Sequence, residues 1–183
     1  MPLLLHLNGP SGVGKSTLAR RWADERPGSL DLEADHLASL LGGWREDFSR
    51  AFAAARHLAL AAAAAHLARG QDVVMPQLVT LVEEARQFEE VAERAGASYV
   101  EVVLLAEPAE QIRRFQAKST DSDVDREIAR HLGACGGEEV LRRIHDHLTA
   151  YAEQRPQALR VVTDGLDAPA TYALVTAAVD RAR

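Results

Sequence analysis

The 183-residue chain has one cysteine, Cys135, so no intramolecular disulfide can form and a reducing cytoplasm is the expected compartment. Lysine is nearly as scarce: only Lys15 and Lys118 occur, and the other cationic side chains are arginines. The formal charge of -6 repels polyanions unless arginines gather on one face, which argues against nucleic acid as a partner. No apolar run is long enough to span a bilayer, since 58–65 is short and lies between His57 and His66. The opening Met1-Pro2-Leu3-Leu4-Leu5 lacks a basic flank and a cleavage site, so neither a signal peptide nor a membrane segment is expected. Internal repeats and linker-like stretches are absent too, and the length suits one domain over 1–183, as a monomer or homodimer.

What is present is the composition of an ordinary globular protein, 47% hydrophobic and 26% charged. Apolar runs at 3–7, 29–33, 72–76, 99–105 and 159–162 predict strands. Helical patterns fill 15–26, 35–41, 46–69, 83–95, 108–117, a stretch up to 132, 138–154 and 169–182, several of them closing on glycine. Strands alternating with helices predict an α/β fold, a parallel sheet covered on both faces. The alanine-rich third helix reads as a face for close packing, or else as a partner-binding surface.

The most informative stretch is Gly9-Pro10-Ser11-Gly12-Val13-Gly14-Lys15-Ser16-Thr17, which fits G-x-x-x-x-G-K-[ST] between a buried strand and a helix. Glycines at this spacing let successive backbone N–H groups turn toward one anion, and the helix N-terminus adds partial positive charge. Gly9, Ser11, Gly12, Val13 and Gly14 are therefore expected to cradle a nucleoside triphosphate, ATP by preference. Lys15 reaches its β- and γ-phosphates, Ser16 places a hydroxyl on Mg²⁺, and Thr17 lies near the α-phosphate.

Leu30-Asp31-Leu32-Glu33-Ala34-Asp35-His36 ends the second strand, and in a parallel sheet all strand C-termini share the edge on which the phosphate loop lies. Glu33 and Asp35, two apart, can divide the work: one holds a water of the magnesium shell, the other accepts a proton from a substrate hydroxyl. Alternatively Asp35 caps the helix that follows and Glu33 is solvated.

The loop, the acid-x-acid element and an arginine-bearing helix followed by a polar segment resemble the small P-loop kinases of the nucleoside-monophosphate-kinase type, a group that includes shikimate kinase, gluconate kinase and chloramphenicol phosphotransferase and is often labelled only AAA family ATPase. The resemblance implies a three-layer α/β/α fold, a five-stranded parallel sheet of order 2-3-1-4-5, and a helical lid at about 117–137. It also implies Asp35 as the base or acceptor-orienting carboxylate and Glu33 near magnesium. In the pair Arg113-Arg114 one residue, Arg114 by preference, would stack on adenine. Arg126 and Arg130, i and i+4, are the lid arginines of this resemblance, although surface pairing with Asp123, Asp125 and Glu127 fits them equally.

No strand ends in the four-apolar-plus-Asp-Glu element of mechanical ATPases: Val73-Val74-Met75 runs into Pro76-Gln77. Acceptor contacts are expected from Asp35, Trp44, Arg45 and Gln77, with tryptophan stacking on a ring or sugar and arginine pairing with an anion. His131, Cys135, His145 and His147 match no zinc-ligand spacing. The expected protein is an ATP- and Mg²⁺-dependent phosphotransferase acting on a hydroxyl of a small molecule, the alternative being an ATP-gated switch.

Overall fold

The fold is that of a computed structural model, which describes residues 1–118 and 122–182. Thirteen elements run along the described chain as β1 (Leu3–Asn8), α1 (Lys15–Asp24), β2 (Leu30–Asp31), α2 (Ala34–Ser39), α3 (Phe48–Leu67), β3 (Val73–Pro76) and α4 (Val82–Arg94). The second half continues as β4 (Ser98–Leu105), α5 (Pro108–Ala117), α6 (Asp123–Ala134), α7 (Glu138–Gln154), β5 (Leu159–Val162) and α8 (Ala168–Ala182).

β1 is buried at all six positions, which is what a central parallel strand covered on both faces requires. It lies between β3 and β4 in a five-stranded sheet of order β2-β3-β1-β4-β5, every pairing parallel. This is the three-layer α/β/α arrangement and the strand order expected from the sequence. Side chains alternate across the sheet. Leu3, Leu5 and Leu7 join Val74, Val102 and Leu104 under Leu18 and Trp22 of α1 and Val175 and Val179 of α8. Leu4, Met75 and Val103 face the other way, onto Ala59 and Ala63 of α3, Phe88 of α4 and Tyr151 of α7. Buried alanines at 55, 59 and 63 let α3 approach closely, so this row serves packing.

Three details differ from expectation. β2 has two residues, because Glu33 already caps the next helix. α2 starts at Ala34, which puts Asp35 inside its first turn and frees it from capping. α6 runs through Gly133 to Ala134, and the break falls at Gly136 and Gly137, which both take positive φ. Of the segment expected to act as a lid, Ser119, Thr120 and Asp121 lie outside the described residues. None of the described helices is long and apolar enough to cross a membrane.

Candidate active site

Because every strand is parallel, the loops after β1, β2 and β3 open on one edge of the sheet and meet in a cleft of about 540 Å³. Ser11, Gly12, Gly14, Lys15, Ser16 and Thr17 line it from the first loop, Glu33 and Asp35 from the second, and Gln77 from the third. Gly12 needs to be glycine twice over: its φ is +87°, and a Cβ there would stand 2.8 Å from the backbone nitrogen of Phe115, so the loop lies directly on α5. Gly14, at φ +102°, precedes α1 with open space where a side chain would be, and the helix N-terminus is left bare. Gly9 sits behind the loop, packed on Val13 and Leu104. Val13 lines a second cavity of about 200 Å³ on the far side of the loop, together with Gly12, Gly14, Thr17, Arg114 and Thr171.

Lys15 donates to the carbonyl of Pro10 at 3.0 Å, which folds its side chain back over the loop. Burial pulls its pKa down to about 8 against the opposing pull of Asp35 and Glu33. Asp35 moves the other way, to about 6, because burial and then the neighbouring Glu33 disfavour its charge, with Lys15 opposing. Ser16 Oγ donates to Glu33 Oε1 at 2.6 Å, and His36 Nδ1 stands 3.7 Å from Glu33 Oε2. The Ser16 hydroxyl and the Glu33 carboxylate are hard oxygen donors set side by side at the loop, a donor set that suits Mg²⁺.

Arg114 is fixed from three directions: Nε to Glu110 Oε1 at 2.6 Å, Nη1 to Thr163 Oγ1 at 3.0 Å and Nη2 to the Thr163 carbonyl at 2.7 Å. It lines both cavities, whereas Arg113 reaches outward to Glu110 and is mostly exposed. These two guanidinium groups hold the Glu110 carboxyl down to about 2.

Trp44, Arg45, Arg126 and Arg130 stand outside the cleft wall. Trp44 is 6% exposed and packs with Ala51 and Val124, so it ties α6 to α3. Arg45 lies over the Trp44 ring at 4.4 Å and pairs with Asp123 of α6 at 2.6 Å. Arg126 also pairs with Asp123, and Arg130 pairs with Glu127 at 3.0 and 3.1 Å through Nε. Both lid candidates are thus engaged on α6 itself, the surface pairing foreseen as their alternative.

Several residues of the site escaped sequence reasoning. Phe48, Phe52 and Arg56, four apart on α3, form one stripe along the cleft, a periodicity that was there to be read. Phe48 stacks on Phe52 at 4.1 Å and on His131 of α6 at 4.5 Å. Lys118 also reaches the cleft, paired with Asp125. Behind Gln77 lies a buried polar network. Asn8 holds Val79 by both its backbone N–H and C=O at 2.9 Å and donates to Glu101 at 3.0 Å, and Tyr151 and Arg155 also donate to Glu101. His6 Nε2 lies 2.8 Å from the Gln77 carbonyl, which can only accept. The proton is therefore on Nε2, and Nδ1 accepts from Tyr99 Oη at 3.0 Å. Burial lowers the His6 pKa, which keeps this neutral tautomer. The loop carrying Gln77 is in this way fastened to the core.

No curated protein matches the sequence. Among solved structures the chain is similar to the tunicamycin resistance protein of Deinococcus radiodurans, with 18% identity, TM-score 0.61, and 98% of this chain and 96% of that one covered. It is also similar to shikimate kinase from Bacteroides thetaiotaomicron, with 15% identity, TM-score 0.60 and 97% and 98% covered. A gluconokinase from Sinorhizobium meliloti shares 16% identity at TM-score 0.55, with 97% and 95% covered. At these identities the likeness is one of fold, the α/β/α arrangement of small P-loop kinases. The family model described as AAA domain, AAA_33, matches residues 4–134, from β1 and its phosphate loop through α6, and the chain belongs to that family.

Proposed function

We propose that the protein is an ATP-dependent phosphotransferase that moves the γ-phosphoryl group to a hydroxyl of a small molecule. The observation that carries this reading is Asp35, a carboxylate with its pKa raised to about 6, on the same cleft as Lys15 and the bare N-terminus of α1. A phosphate loop alone serves switches and motors equally; a carboxylate poised to take a proton beside it serves transfer to an alcohol. The kinases among the structural neighbours support the same reading by their names.

In this reading the acceptor oxygen attacks the γ-phosphorus in line as its proton passes to Asp35. The bond from phosphorus to the β,γ-bridging oxygen breaks, and its electron pair leaves on ADP. Lys15 stays protonated against the phosphates and offsets charge at the bridging oxygen. Ser16 and Glu33 would hold Mg²⁺, which supplies neutralisation of the triphosphate oxygens. The smaller cavity, bounded by Arg114 and the start of α8, suits the base, with the guanidinium plane of Arg114 against it. The segment 117–137 acts as the lid, and the protein works in the cytoplasm as one domain.

The test is incubation with MgATP and a broad panel of hydroxylated metabolites, nucleosides and antibiotics, with ADP and phosphorylated product measured together. One acceptor should be phosphorylated in a manner that depends on Asp35. Slow hydrolysis alone, unaffected by Asp35→Asn, would sink the proposal. The switch alternative rested on the alanines of α3, and those at 55, 59 and 63 are buried in the core.

A further inference from the structure

The acceptor end of the cleft has its own chemistry. Three rings, Phe52, Phe48 and His131, stack in sequence at 4.1 and 4.5 Å with interplanar angles of 29° and 20°. Ile128, Leu132 and Ile144 extend the same wall. A polyol laid against it would exchange water for carbon at most of its hydroxyls, and each unmade hydrogen bond costs about 1–3 kcal/mol. A ring would instead bury apolar area and extend the stack at Phe52, its end ring.

Charge points the same way. Apart from Lys15, the cations lining the cleft are all paired with carboxylates among the described residues: Arg56 with Glu84, Lys118 with Asp125, and Arg113 and Arg114 together with the single Glu110. A carboxylated acceptor would have to displace one of these. Two polar atoms of the wall are buried without a partner among the described residues, the acceptor Oε1 of Gln77 and the donor Nε of Arg56. A ligand N–H would satisfy the first and a ligand C=O the second.

Resting on the kinase reading above, we infer that the acceptor is a neutral alcohol that bears a planar ring and an amide-like edge, not a sugar acid or a simple polyol. Amides, lactams and nucleobases share this edge. The ring lies against Phe52, the end ring of the stack, the amide-like edge meets Gln77 and Arg56, and the hydroxyl is directed to Asp35.

Equilibrium binding to the full chain, read calorimetrically without phosphoryl transfer, tests this with four probes: N-acetylphenylalaninol, thymidine, gluconate and glucose. At least one ring probe should bind about tenfold or more tighter than gluconate and glucose. The stronger of the two shows whether the ring belongs to an acylated amino alcohol or to a nucleoside. Gluconate or glucose binding as tightly as both ring probes, or neither ring probe binding at millimolar concentration, overturns the inference. Phe52→Ala should weaken the better ring probe about tenfold, and an unchanged Kd overturns the inference. The ATP Kd of that variant reports whether it folds. If it does not, Gln77→Leu, which keeps the volume and loses the amide, should weaken the same probe about fivefold or more, and no loss has the same consequence. A ring probe that binds without any alcohol ever being phosphorylated sinks the kinase reading and leaves this inference standing; phosphorylated gluconate does the reverse.

Discussion

The hydroxyl of Ser16 and the carboxylate of Glu33 are joined at 2.6 Å, although 17 residues separate them in sequence and they belong to the first turn of α1 and the N-cap of α2. That bond clamps the phosphate loop to the start of α2 and sets the two oxygens that would face magnesium. Glu33→Gln keeps a hydrogen-bond acceptor but removes the charge. The Mg²⁺ concentration giving half-maximal turnover at fixed ATP should rise about tenfold or more, while ATP binding without metal stays close to that of the parent.

Lys15→Ala removes the ammonium group that lines the cleft beside the phosphate loop. Turnover should fall on the order of 10²-fold or more, and circular dichroism should report an intact fold. Turnover within a factor of about two of the parent would place phosphoryl transfer at some other group.

The displaced pKa values of Asp35 and Lys15 set a pH window. Asp35 must be ionised to take a proton, so kcat/KM should fall as pH drops through about 6. Lys15 must be charged to bind phosphate, so kcat/KM should fall again as pH rises through about 8. Asp35→Asn should abolish the acidic limb along with about 10²–10⁴-fold of the rate. A surviving acidic limb would assign the base to another group.

The same shift has a cost in folding. The Asp35 carboxyl titrates at about 6 in the folded chain and near its ordinary 3.8 when unfolded, so above pH 6 its charge disfavours the folded state. Asp35→Asn should therefore raise stability at pH 7 by about 1–2 kcal/mol, allowing for partial exposure. The gain should shrink as pH falls from 6 to 3.8. Thermal denaturation across that range checks both the sign and the window.

Trp44 holds α6 against α3 through Ala51 and Val124. Trp44→Ala should speed amide hydrogen exchange across 123–134 with little change in α1, and cost about 3 kcal/mol if the cluster unfolds with the rest. Uniformly faster exchange along the whole chain would mean that Trp44 supports the fold at large and not this one helix.

The parts of the structure written in local pattern were legible. Runs such as Leu3-Leu4-Leu5 and Val102-Val103-Leu104 can satisfy their burial only inside a parallel sheet, and the loop glycines with Lys15 and Ser16 announce an anion site. What was hidden depends on register. His6 and Glu101 are opposite partners across β1 and β4, 95 residues apart in sequence, and nothing local to either announces the other. Aromatic and arginine neighbours make Trp44 look like an acceptor contact in the sequence, yet its place is decided by α6, which arrives about 80 residues later to cover it. The Phe48, Phe52 and Arg56 stripe is masked in the sequence because it runs on into Ala55, Ala59 and Ala63 on the same helix face, and that row reads as packing along its whole length.

That division of α3 has an evolutionary consequence. Residues 55, 59 and 63 belong to the core, and residues 48, 52 and 56, which continue the same helix face toward its N-terminus, line the cleft. In the proposed reading the side chains that would meet the acceptor are therefore different ones from the buried alanines, and different again from the loop that would grip phosphate. In that reading, substitutions at these three positions, one helical turn apart, would redraw the acceptor's surroundings and leave the phosphate loop and the buried alanines in place. A scaffold divided in this way can pass from one small molecule to another by a few single steps, each of which leaves a folded, nucleotide-binding protein for selection to work on.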